Sequence, residues 1–97
     1  MNDERTYIVT YDISDSRRWR RVFKTMNGFG EWLQLSVFQC RLSRRRRAEL
    51  EVRLREIVKS GEDHVLLIDI GPADRTTLAV ESIGKTFVRI ERNAVVI

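Results

Sequence analysis

An α+β domain of the ferredoxin-like βαββαβ plan is predicted by three features of the sequence. An apolar strand opens the chain, helical spacing with a burst of arginine follows at once, and the same strand-to-helix alternation recurs from Glu31 to Ile70. In Thr6-Tyr7-Ile8-Val9-Thr10-Tyr11-Asp12-Ile13-Ser14-Asp15, β-branched and aromatic residues dominate, and period two places Tyr7, Val9, Tyr11 and Ile13 on one face. Ile8, Thr10 and Asp12 occupy the other. The first face is suited to packing under helices, so Asp12 is expected at a strand end on the more polar side, where a rigid element aims a side chain at a loop-lined space.

Asp15 is suited to cap a first helix over about Ser16 to Asn27, with Trp19, Val22, Phe23 and Met26 at i, i+3, i+4 and i+7 as its apolar stripe. Arg17, Arg21 and Lys24 then project from the opposite side, with Arg18 and Arg20 on the flanks. Asn27-Gly28-Phe29-Gly30 ends this helix, glycine being expected to supply a left-handed residue. The segment Glu31 to Leu42 alternates but is long for one strand, and is read as two short antiparallel strands bent near Ser36-Val37.

Ser43 caps a second helix, about Arg44 to Lys59, whose buried stripe is Leu50, Leu54, Ile57 and Val58. Glu49 to Arg53 and Glu51 to Arg55 have the favoured i, i+4 order for ion pairs. Arg44-Arg45-Arg46-Arg47 crowd the positive end of the helix dipole, so either a bound phosphate relieves the repulsion or the side chains splay into water. His64 to Ile70 is apolar throughout, which predicts a central strand covered on both faces. Gly71-Pro72-Ala73-Asp74 reads as a turn, Ile83-Gly84 as a break, Phe87-Val88-Arg89-Ile90 as a further strand, and Asn93 to Ile97 as an apolar tail that a partner chain would cover.

Composition limits the function. The 97 residues suit a single domain, 1–97, and 18 Lys+Arg against 14 Asp+Glu leave a net charge of +4, which favours a polyanionic partner such as nucleic acid. The lone Cys40 excludes an internal disulfide and a thiolate cluster for zinc, and together with the lack of an apolar run of about 20 residues or a signal peptide it predicts a cytoplasmic protein with no membrane span. Cys40 has no evident base and is read as a small strand residue, His64 as structural, and Trp19 and Phe23 as core; Tyr7 and Tyr11 fit either role. The aromatic-glycine signature of an RNA-recognition module is missing from Val37 to Leu42.

Phosphodiester hydrolysis without a histidine base is commonly carried out with Mg²⁺ or Mn²⁺, held by one or two carboxylates and by water. A single Asp12 makes a thin site and two of them across a dimer axis an acceptable one; the competing reading is that Asp12 caps the turn into the first helix. Asp69, at the end of the fourth strand, is a candidate to face Asp12 across the open sheet.

Tyr11-Asp12-Ile13-Ser14-Asp15, the arginine-rich first helix, and Gln34-Leu35-Ser36-Val37-Phe38-Gln39-Cys40-Arg41-Leu42 together resemble the CRISPR-associated protein two family, the small partner of the spacer-acquiring integrase. The resemblance spans almost the whole chain in element order and is least specific after Gly71. It implies a homodimer with sheets face to face, a core of about 5–71 and a segment of about 72–97 that completes the partner's sheet. It implies too a divalent metal, Mg²⁺ or Mn²⁺, held at the two-fold axis by Asp12 of both subunits. Endonuclease activity on RNA or DNA is implied for some members, and for others a bridge that binds duplex DNA between dimers of the integrase, protein one. Catalysis then falls to Asp12, nucleic-acid binding to Arg17, Arg18, Arg20, Arg21, Lys24, Arg44 and Arg45, and support of the site to Tyr11, Ser36 and Phe38. One departure stands out. The family often has an arginine seven residues after the aspartate, where this chain has Trp19, while Arg21 matches the usual pattern. A related ferredoxin-like toxin ribonuclease fits the same strand ends.

Overall fold

The computed structural model describes residues 3–87, and strand β1, Arg5–Asp12, lies at its centre. β3 (Val37–Leu42) pairs antiparallel along one side of β1 and β4 (His64–Pro72) along the other, while β2 (Gly30–Gln34) extends the sheet to the order β2-β3-β1-β4. Helices α1 (Ser16–Met26) and α2 (Arg44–Ile57) both pack on one face, as the βαββαβ plan requires. The expected alternation of β1 holds: Tyr7, Val9, Tyr11 and the following Ile13 are buried, and Asp12 is exposed. From β3, Phe38, Cys40 and Leu42 enter the same core and meet Val22 and Met26 of α1 and Leu50, Leu54 and Ile57 of α2. Trp19 and Phe23 stack at 5.3 Å along the edge of that core.

Several local expectations are corrected. Helix α1 ends at Met26 without a left-handed glycine: Asn27 stays right-handed and the Gly28 N–H donates to the Thr25 carbonyl at 2.9 Å. Gly30 is required for room instead, because a Cβ there would collide with the Cys40 Sγ and the Gln39 carbonyl oxygen. The β2–β3 bend falls at Leu35-Ser36, and Leu35 itself adopts the left-handed conformation at φ 40° while its carbonyl accepts from Trp32 Nε1 at 2.9 Å. The missing glycine at the turn is thus offset by a local hydrogen bond and by a side chain left in solvent. In α2, Glu51 pairs with Arg55 as expected, but Glu49 pairs with Arg46, three residues earlier, rather than with Arg53.

The largest correction concerns β4. It lies at the edge of the described sheet, and its apolar run serves two different faces. Val65 and Leu67 pack against the helix-side core, whereas Leu66, Ile68 and Ile70 stand 49%, 45% and 36% exposed on the uncovered face. A run that is apolar on both faces signals double covering, and the described residues supply only one of the covers. Gly71 and Pro72 still belong to β4, Gly71 at φ +126° beside a register shift between Thr6 and Tyr7, and the turn follows as a 3-10 segment, Ala73–Arg75, tied back by Ala73 N–H to the Glu4 carbonyl at 2.9 Å. The break at Ile83-Gly84 is present, with Gly84 at φ +102° and the Ser82 hydroxyl donating to the Lys85 carbonyl. The expected strand beyond Phe87 and the apolar tail lie outside the described residues.

Phe38, wholly enclosed and in ring contact with Tyr11 and Phe23, joins the central sheet to α1. Truncation to Phe38→Ala is expected to cost about 3–5 kcal/mol, a large part of the roughly 5–15 kcal/mol available to a small domain, and urea unfolding followed by circular dichroism measures it.

Candidate functional site

Asp12 ends β1 on the uncovered face, and the antiparallel register sets it directly opposite His64, the first residue of β4. Both are exposed. The competing reading of Asp12 as a helix cap is overturned, since Asp15 holds that position and accepts from the Arg18 N–H at 3.0 Å. The Asp12 carboxylate has no hydrogen-bond or ion-pair partner among the described residues, its backbone being paired within the sheet. Asp69 does not face Asp12 either: it lies opposite Tyr7 near the far end of the strand and pairs with Arg5 at 2.8 Å. His64, expected to be merely structural, is the residue beside Asp12.

The backbone on both sides of this pair is fastened by one carboxylate that sequence reasoning missed. The Asp63 side chain is fully enclosed and accepts from Ser14 N–H at 3.3 Å, Lys59 N–H at 2.9 Å, and Arg18 Nε and Nη2 at 2.6 and 3.2 Å. The Arg18 guanidinium, with the two backbone donors, holds the Asp63 carboxyl well below the usual carboxylate range. Ser14 follows Asp12 by two residues and Asp63 immediately precedes His64. The clamp therefore joins the chain leaving β1 to the chain entering β4. Its partners are 45 residues apart, so no local pattern announces it. It also changes the standing of Arg18, grouped with the phosphate-binding arginines by its helical position. Its guanidinium is committed to Asp63 and lies within reach of Glu62 and the Ser14 hydroxyl.

The three supporting residues build the floor beneath the end of β1. Tyr11 is buried between Trp19 and Phe38, its hydroxyl has no partner among the described residues, and desolvation pushes its pKa up to about 12. Ser36 accepts from Trp19 Nε1 at 2.8 Å through its hydroxyl and from the Tyr11 N–H at 3.1 Å through its carbonyl. Trp19 thus anchors the end of β1 instead of offering it a charge. Cys40 is buried and its thiol is pushed up to about 12, chiefly by desolvation, which suits packing and not nucleophilic chemistry.

Arg17, Arg20, Arg21 and Lys24 are exposed along α1 with no ion-pair partner among the described residues. At the start of α2 the four-arginine run divides. Arg46 pairs with Glu49, donates to the Gly28 carbonyl at 2.9 Å and lies 4.0 Å from the Phe29 ring, and Arg47 pairs with Glu51. Arg44 and Arg45 stay exposed and unpaired among the described residues, while the Asp3 carboxylate accepts from the Arg44 N–H at 3.3 Å and meets part of the helix's positive end. The protein thus relieves the expected crowding partly by itself. Lys24, Arg46 and Arg53 also line, with Phe29, a shallow cleft of about 400 Å³ between the two helices.

No group of three or more His, Cys, Asp or Glu side chains converges among the described residues. Among the described residues, Asp12 and His64 are a carboxylate and an imidazole brought side by side on the uncovered face. That donor set fits an open site in which a divalent cation keeps several waters or is completed by a second copy, and does not fit a closed structural site.

A ferredoxin-like sheet with an acid at a strand end and, on the adjoining helix, arginines that are exposed and unpaired among the described residues is the kind of small basic domain suited to nucleic acid. The particular family follows from comparison: residues 5–77 match the model of CRISPR associated protein Cas2, and the chain belongs to that family. A CRISPR-associated endoribonuclease Cas2 of Geobacter sulfurreducens is 60% identical over 97% of this chain and 99% of its own length. A second, CRISPR-associated endoribonuclease Cas2 1 of Rhodospirillum rubrum, is 53% identical over 99% of this chain and 94% of its own. A crystal structure of a Cas2 protein superposes with a TM-score of 0.71 at 36% identity, covering 90% of this chain and 97% of that one. The chain thereby takes its place among the CRISPR-associated nucleases of antiviral defence.

The depressed pKa of Asp63 sets a direction for acid stability. A carboxyl lower in the folded than in the unfolded state stabilises the fold above its unfolded pKa, and that stability is lost as pH falls through the folded value. Melting temperature should decline from about pH 5 downward, and Asp63→Asn should be less stable near neutrality with a flatter acid limb. Parallel pH series of thermal melts check this.

Proposed function

We propose that this protein is a metal-dependent endonuclease that cleaves single-stranded RNA as a homodimer during CRISPR spacer acquisition. The single observation that carries the reading is Asp12: an exposed carboxylate at the end of the central strand, without an intramolecular partner among the described residues, at the strand end from which the chain enters α1 with its exposed cations. The endoribonuclease names of the two close relatives favour RNA as substrate. Asp12 is the residue to hold and orient the ion, Mg²⁺ or Mn²⁺, with its waters. When bound, such an ion lowers the pKa of water and offsets charge developing on the phosphate. Arg17, Arg20, Arg21 and Lys24 bind the flanking phosphates, and Tyr11, Ser36 and Trp19 keep the strand end rigid so that Asp12 is aimed without rearrangement. Asp12→Asn should lower cleavage of a labelled RNA by roughly 10²-fold or more while leaving RNA binding intact. Equal cleavage by the variant would overturn the assignment.

The dimer reading is supported by the uncovered face, where Ile8, Leu66, Ile68 and Ile70 form an apolar surface continuous with Asp12. A second copy packed there would bury that surface and bring two Asp12 carboxylates toward one axis. Ile68→Lys is expected to convert the dimer to a monomer in light scattering coupled to size exclusion, and to remove cleavage with it.

A second reading, a scaffold that binds duplex DNA between dimers of the partner integrase, draws on the spread of charge. Leu42 of β3 lies opposite Arg5, so Arg44 and Arg45 stand at the end of the sheet remote from Asp12. Cations at both ends suit a long polyanion better than one scissile linkage. Reversal to glutamate at Arg17, Arg20 and Arg21 should weaken binding and reduce the slope of log K against log salt by about 0.7 per lost contact for a single strand and about 0.9 for duplex DNA. Fluorescence anisotropy over a salt series on each nucleic acid measures both.

A further inference from the structure

We infer that His64 is a second ligand for the ion assigned to Asp12, so that each chain offers a mixed oxygen and nitrogen donor pair that prefers a first-row divalent ion such as Mn²⁺ to Mg²⁺. The inference rests on the metal-dependent reading above and deepens it. Two independent observations meet at this point. The first is register: Asp12 and His64 are direct partners across the β1–β4 ladder and are both exposed. Directly opposed residues of an antiparallel pair share a face with Cβ atoms about 5 Å apart. A carboxylate and an imidazole that start from such points can reach a common ion about 2.1 Å from each donor.

The second is the Asp63 clamp. A single enclosed carboxylate fastens Ser14, two residues beyond Asp12, and is itself the residue before His64. Both donors therefore emerge from backbone that is tied to one group, which holds their spacing before any ion arrives.

Donor chemistry then decides which ion is preferred. Mg²⁺ is hard, demands oxygen and surrenders water reluctantly, so an imidazole adds little to its binding. First-row transition ions accept imidazole readily, and for them the second donor adds affinity and fixes orientation. In a dimer two such pairs would approach from opposite sides, raising the protein donors from two carboxylates to two carboxylates and two imidazoles.

The test uses the full chain and the chloride salts of manganese and magnesium alone, with calorimetry and pulsed electron paramagnetic resonance of bound Mn²⁺, so that no cleavage assay is needed. Wild type should show nitrogen modulation from an imidazole, and His64→Ala should lose it together with about tenfold or more of Mn²⁺ affinity, while Mg²⁺ affinity changes far less. His64→Glu should shift preference toward Mg²⁺ by replacing nitrogen with oxygen. His64 is exposed at a strand entrance, and thermal melts of both variants confirm that they fold. Mn²⁺ binding in wild type that vanishes in Asp12→Asn but is unaltered in His64→Ala, or that lacks nitrogen modulation, overturns the role of His64 alone. Failure of wild type to bind either ion overturns both this inference and the metal-dependent reading beneath it.

Discussion

The rest of the fold depends on the position of β1 between two antiparallel neighbours. Because its side chains alternate strictly, Tyr7, Val9 and Tyr11 are committed to the helices, and Ile8, Thr10 and Asp12 to the opposite side. Register with β3 then carries Phe38 and Cys40 into the core, and register with β4 carries His64 beside Asp12. A slip of one residue would exchange the two faces and put the acid under the helices, where burial of an unpaired charge costs several kcal/mol. Apolar burial on the helix side therefore maintains the chemistry on the other side.

Asp63 and Arg18 contribute in a different way. A carboxylate out of water is costly unless its oxygens are fully engaged, and here two backbone donors and a forked guanidinium engage both. The gain is positional more than energetic: three chain segments, the exit of β1, the end of α2 and the entry of β4, meet on one group. The arrangement also divides the arginines of α1 by function. One holds the fold together, and its neighbours remain exposed to create a positive field over the surface. The same division appears in α2, where Arg46 and Arg47 are neutralised by glutamates within the helix and Arg44 and Arg45 are not. Net charge alone does not separate the two kinds of arginine.

Much of the architecture could be read from local pattern. Both helix starts followed from Asp15 and Ser43, each of which accepts from the backbone three residues on, and both buried stripes from 3.6-residue spacing. Elements whose outcome depends on distant partners were misjudged. From pattern alone β4 reads as central, because a doubly apolar strand looks the same whether its second cover is a helix or another molecule. Glycines 28 and 30 were assigned a conformational role, when at Gly30 the requirement is the close approach of β3. Asp69 and Asp12 both end a strand in sequence, but antiparallel pairing sends those two ends apart.

By itself the sequence determined the class of fold, the two faces of β1, the caps of both helices and the basic character of the surface, since each arises from interactions within a few residues of chain. Only the tertiary structure decided that His64 is the neighbour of Asp12, that Asp63 takes Arg18 out of the exposed basic group, and that the described residues leave the outer face of β4 exposed. Those outcomes depend on strand register and on contacts between residues 45 or more apart, where the partner is chosen by the closing of the whole sheet and not by any local preference of the chain.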